Sequence, residues 1–167
     1  MLIKHLGTIV CRKLGGAPDC MKEKIFIGGD HAGFGLKGLI IKFLNGKGYE
    51  VVDVGPTSYD KDDDYPDYTK ALCSNVKGAN AKGILVCSTG TGTAMIANKY
   101  RGLYAANCWN EESVRLAKVH QDINVLCMGS RFVSEQMAEK MLSIWLEEAV
   151  EREERHVRRL NKIKDME

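Results

Sequence analysis

From residue 24 onward, short β-branched apolar runs alternate with stretches of helical periodicity, and this alternation leaves few folds open. Lys24–Gly28 (KIFIG), Glu50–Val54 (EVVDV), Gly83–Cys87 (GILVC) and Asn124–Met128 read as strands, with Leu103–Ala106 a weaker one. Between them, Gly33–Gly46 places Phe34, Leu36, Leu39, Ile40, Phe43 and Leu44 on one helical stripe that stops at glycine. Further helices are predicted over Asp67–Lys77, from the glycine turn at Gly90–Gly92 to about Asn98, and over Glu111–Val119. Another, capped by Ser134, reaches Leu146, and a charged helix follows to the C-terminus. Strands separated by helices must run parallel, joined by right-handed crossovers. The predicted fold is a three-layer α/β/α sandwich, Rossmann-like, with about five parallel strands.

A chain of 167 residues fits one domain, here residues 21–167. No apolar run is long enough to cross a bilayer. The formal net charge is +2, and Lys4, Arg12 and Lys13 against Asp19 account for all of it. A formally neutral body argues against nucleic acid as the main partner but leaves room for a local phosphate pocket. Gly15-Gly16-Ala17-Pro18 interrupts any element, so residues 1–20 read as a flexible N-terminal extension. That segment is basic and acid-poor like a transit peptide, yet has one arginine and no serine. The six cysteines form no C-x-x-C pair and no zinc-ligand spacing with histidine. Cys87 and Cys127 end apolar strand patterns, so free thiols in a reducing, cytoplasmic compartment are expected.

In a parallel sheet, ligands gather beyond the C-terminal ends of the strands. Asp30 and His31 follow the first strand. Cys87 ends the third and runs into Ser88-Thr89-Gly90-Thr91-Gly92, and Gly129-Ser130-Arg131 follows the last. The glycine turn before a helix can aim backbone N–H groups at a developing oxyanion. It is neither a P-loop nor a dinucleotide fingerprint. A thiol at such a turn suits proton transfer. Each feature has a plainer alternative. Asp30 fits a helix cap with His31 solvated, and Cys87 fits a core thiol. His120-Gln121 fits a polar loop. Arg155 and Arg159, one turn apart, could grip a phosphate, but Glu151 with Arg155 and Glu154 with Arg158 have the spacing of surface ion pairs. Asp62-Asp63-Asp64 reads as a solvated acidic loop without calcium-loop spacing.

In order and spacing, these segments resemble the type B ribose-5-phosphate isomerases and their hexose-phosphate relatives. The likeness runs through GGDHAGF at Gly28–Phe34, DYPDY at Asp64–Tyr68, CSTGTG at Cys87–Gly92 and ANK at Ala97–Lys99. It continues with HQDINVL at His120–Leu126, GSR at Gly129–Arg131 and RHVRR at Arg155–Arg159. The resemblance implies a metal-free, cofactor-free aldose–ketose isomerase acting on a sugar phosphate. Cys87 would be the base, with Thr89 beside it. The amides of Gly90, Thr91 and Gly92 would hold the enediolate oxygen, and Asp30 and His120 would open the sugar ring. His31, Arg131, Arg155 and Arg159 would clamp the phosphate. It also implies a homodimer, or a dimer of dimers, with sites shared between subunits. Three segments depart from the family pattern. Gln121 stands for the usual asparagine, Cys108-Trp109-Asn110 replaces a segment that often reads cysteine-histidine-aspartate, and Glu153-Glu154 replace two glycines.

Overall fold

The computed structural model describes residues 23–77 and 81–167, so the extension expected over residues 1–20 lies outside it, as does Met21. Five strands, β1 (Lys24–Gly29), β2 (Val51–Asp53), β3 (Ala81–Cys87), β4 (Ala105–Asn107) and β5 (Val125–Gly129), form one sheet in the order β2-β1-β3-β5-β4. Every pairing is parallel. The central strands β1, β3 and β5 are buried along nearly their whole length, which is why they read as continuous apolar runs.

The helices are α1 (Phe34–Gly46), α2 (Tyr65–Val76), α3 (Thr91–Ala97), α4 (Glu111–Gln121), α5 (Glu135–Glu147) and α6 (Glu154–Lys164). Leu36, Ile40 and Leu44 of α1, Val114 of α4 and Met141, Leu142 and Trp145 of α5 make one core against the sheet. Leu72, Cys73 and Val76 of α2 and Ala94 and Ala97 of α3 make the second, on the opposite face. The result is the expected α/β/α sandwich. Trp145 is fully buried because its indole N–H finds the Ile123 carbonyl at 3.1 Å. None of the helices among the described residues is long and apolar enough to cross a membrane.

Of the boundaries that differ from the sequence prediction, two do so for plain local reasons. The α2 helix begins at Tyr65 because Pro66 occupies its first turn, where a missing N–H costs nothing. The chain between α5 and α6 is extended, tied to α4 by the Glu151 N–H donating to the Val119 carbonyl at 2.9 Å. Glu151 thus lies outside α6, and the expected Glu151–Arg155 pair does not form. Arg158 and Glu154 do approach, at 4.0 Å.

Candidate active site

Three loops meet at the C-terminal rim of the sheet. Ser130 stitches them together: its hydroxyl donates to the Ala32 carbonyl at 2.7 Å and its N–H to the Cys87 carbonyl at 2.9 Å. The Arg131 N–H donates to the Ser88 carbonyl at 3.2 Å. Close approach at this rim excludes side chains. A Cβ on Gly33 would fall 2.1 Å from the Val86 carbonyl oxygen, and one on Gly129 would fall 2.6 Å from the backbone of Thr89. The rim therefore carries Asp30, His31, Cys87, Thr89, Gly90, Thr91, Gly92 and Arg131 from loops that are mutually fixed.

Cys87 is 5% exposed, and its sulfur accepts the Gly90 N–H at 3.1 Å with the Thr93 hydroxyl 3.9 Å away. Gly90 turns with φ +79°, in the left-handed region, and α3 begins at the next residue. Asn107 braces the turn, donating to the Thr89 carbonyl at 3.1 Å and to the Thr91 hydroxyl at 3.2 Å. The Tyr65 ring lies over Gly92, where a Cβ would meet it at 2.6 Å. Thr89 and Thr91 face a depression shared with the half-exposed rings of Trp109 and Phe132.

Asp30 is buried and accepts the Gly33 N–H at 3.1 Å, which closes the turn before α1. The capping alternative thus holds in part, although the residue flanking the helix is Gly33. His31 is not simply solvated: its Nδ1 lies 2.6 Å from Asp63 Oδ1, and its backbone N–H donates to the same oxygen at 3.0 Å. The reading of Asp62-Asp63-Asp64 as a wholly solvated loop fails at Asp63, whose side chain is 6% exposed. Folding of the β2–α2 loop onto His31 removes it from water. The hydrogen bond to Asp63 holds the His31 imidazole above its ordinary range, with the Asp30 and Asp63 charges adding to it against some desolvation. Burial raises the Asp63 carboxyl, but the His31 N–H, ring and charge outweigh it and leave that carboxyl below its usual value.

The remaining predicted residues lie elsewhere. The α4 helix returns the chain from the C-terminal end of β4 to the N-terminal end of β5, so His120 and Gln121 sit at the opposite end of the sheet from Cys87. The α6 helix packs there against α4. His120 stacks on the buried His156, with ring centroids 4.2 Å apart and planes 11° from parallel. Glu151 reaches both rings, at 3.5 and 3.9 Å. Arg155 and Arg159 are exposed on α6, and Arg155 Nε lies 2.7 Å from Glu153 and donates to His156 Nε2 at 3.2 Å. His120, Glu151 and His156 are the one cluster of three possible metal ligands among the described residues. Their donor atoms lie within 4.8 Å of one another, and Arg155 Nε also donates to His156 Nε2. The arrangement suits a proton-handling or anion-binding surface.

One chain thus carries a thiol beneath a glycine turn at one end of its sheet, and a histidine pair and two arginines at the other. The family model described as Ribose/Galactose Isomerase matches residues 25–163. The chain belongs to this family. It is 42% identical over 144 residues to the probable ribose-5-phosphate isomerase B of Mycoplasma pneumoniae, a match covering 86% of this chain and 94% of that protein. Against the ribose-5-phosphate isomerase B of Escherichia coli, identity is 40% over 125 residues, covering 74% and 83%. The crystal structure of the Mycoplasma genitalium ribose-5-phosphate isomerase B with bound ribulose-5-phosphate superposes with a TM-score of 0.82 at 40% identity, covering 87% of this chain and 97% of that one. Of the residues that sequence reasoning gave no part in the site, Tyr65 lies within the DYPDY segment, while Asp63, Asn107 and Glu151 belong to no motif.

Proposed function

We propose that this protein interconverts D-ribose 5-phosphate and D-ribulose 5-phosphate through an enediolate, a step of pentose phosphate metabolism. The observation that carries the reading is the Cys87 sulfur beneath the Gly90 N–H, at the rim where β3 meets an exposed turn. In the aldose-to-ketose direction, the Cys87 thiolate takes the proton from C2 of the open-chain sugar. Electrons move into the C1 carbonyl, and the oxyanion is met by N–H groups of the Gly90–Gly92 turn. A proton passes from the C2 hydroxyl to the C1 oxygen, and the same thiol returns the carbon-bound proton to C1, leaving the carbonyl at C2 and the thiolate restored. Thr89 stands beside the reacting carbons. Such chemistry needs a base, an oxyanion site and an anchor, and remote phosphate binding by His31 and Arg131 supplies part of that anchor. No metal is needed for these steps.

Ring opening and the rest of the clamp fall to Asp30, His120, Arg155 and Arg159, with Gln121 adjoining. Because His120 and the α6 arginines stand at the far end of the sheet, a second copy of the chain must bring them to Cys87. The reading is therefore a homodimer with each site shared between subunits, acting as a cytoplasmic enzyme. The half-exposed Trp109 and Phe132 beside the rim suit such an interface.

Comparison of kcat/KM for ribose 5-phosphate with allose and galactose 6-phosphates tests the substrate. A preference for ribose 5-phosphate is expected, and a hexose preference would overturn it. EDTA-treated protein should retain its rate; loss restored by added metal would contradict the metal-free steps. Cys87→Ala should lower kcat by about 10²–10⁴-fold, the usual worth of a general base, while inorganic phosphate still binds. An active Cys87→Ala variant would refute the base assignment.

A further inference from the structure

We propose that Asp63 is a positioning residue that ties back His31 Nδ1 and presents Nε2 to the substrate phosphate. This rests on reading His31 as part of the phosphate clamp. The geometry is a two-point hold: one carboxylate oxygen takes both the His31 backbone N–H, at 3.0 Å, and ring Nδ1, at 2.6 Å. A carboxylate whose side chain is 6% exposed is costly to bury unless it is paired; the imidazole is its main pair, with the Tyr68 hydroxyl of α2 bearing on it as well. Two carboxylates face the ring, Asp30 from its own loop and Asp63 from the β2–α2 loop, and both favour its cation. The Tyr59 ring meets it edge-on at 6.2 Å. Among the described residues, His31 Nε2 has no hydrogen-bond partner.

The chemical consequence follows from the two ring nitrogens. With Nδ1–H directed at Asp63, a neutral imidazole offers only a lone pair at Nε2. A lone pair repels a phosphate oxygen. The imidazolium offers Nε2–H and a positive charge instead, both of which a phosphate takes. Asp63 thus fixes the orientation of the ring and keeps it in the one charge state that serves the clamp. Asp63→Asn preserves shape and can still accept from Nδ1, but lacks the charge.

The test pairs kinetics with imidazole ¹H–¹⁵N NMR on the full chain. Wild-type His31 should titrate above 6.5, the ordinary histidine value, and carry its proton on Nδ1 when neutral. In Asp63→Asn the titration should fall, and KM for ribose 5-phosphate at pH 7.5 should rise about five- to tenfold. At pH 5.5 the two KM values should converge, with kcat at saturation unchanged within about twofold. Wild-type His31 titrating at or below 6.5, or an Asp63→Asn profile of KM against pH that matches the wild type, would overturn the inference. So would a fall in kcat at constant KM. The NMR arm needs only wild-type protein and survives a variant that fails to fold. If the wild type isomerised no sugar phosphate, the isomerase reading would fail separately, and competition between inorganic phosphate and His31 deprotonation would still decide the role of Asp63.

Discussion

Cys87 differs from the other described cysteines in what surrounds its sulfur. Burial pushes the thiols of Cys73 and Cys108 up to about 11 and that of Cys127 higher still, which marks them as inert core residues. The Cys87 sulfur instead receives a backbone N–H at the mouth of a turn. This distinction was half legible in the sequence, since both cysteines read as closing apolar runs but only Cys87 precedes a glycine turn; in the fold Cys87 ends β3 whereas Cys127 lies mid-strand in β5. Asp63 was not legible, because its burial depends on a contact with His31 made across 32 positions of chain. The pair has a pH signature. His31 is raised above 6.5, so its contribution to stability is present at lower pH and fades as pH rises through the raised value. Asp63 is lowered from 3.8, so its contribution is present above that value and fades as pH falls through the depressed one. The Tm difference between wild type and Asp63→Asn should therefore be largest at about pH 5–6 and shrink on both sides. A difference that is flat with pH would dissociate the pair from stability.

At the scale of elements, the turn from β3 into α3 has the least freedom to change. Gly90 sits at φ +79°, and a Cβ there would lie 2.1 Å from Asn107 Oδ1. Gly90→Ala should cost about 1–2 kcal/mol from the left-handed backbone alone, and more as Asn107 is displaced. Because the same N–H points at Cys87, activity should fall further than stability does. Thermal melts and kcat on one preparation would check this, and a fully active, stable variant would contradict the turn's role. The glycine turn was readable because few residue types make it. Helix starts were less so: α2 is entered through Pro66, and α6 waits until an extended segment has crossed α4. The loop between β2 and α2 read only as polar, yet Lys37 pins its start, with its buried ammonium 2.7 Å from Asp53 Oδ2 and 2.9 Å from the Pro56 carbonyl. The helical periodicity places Lys37 on α1 but carries no sign of this tertiary partner.

The whole molecule presents its chemistry at two ends of one sheet. Alternation of strands and helices fixed the sandwich from sequence, because parallel strands leave few alternative connections. Motif order also gathered the site residues into one family pattern. What sequence order could not convey is that α4 carries His120 away from Cys87; on the shared-site proposal, symmetry rather than the chain itself would bring the two together. An isologous dimer would place the histidine pair and arginines of one copy against the thiol and oxyanion turn of its partner, twice over. Mixing inactive Cys87→Ala protein with inactive His120→Ala protein, under conditions that exchange subunits, tests this most directly. Each mixed dimer would hold one site with both defects and one with none, so isomerase activity should return to about a quarter of the wild-type rate. No recovery after verified exchange would contradict a site built from Cys87 of one chain and His120 of the other.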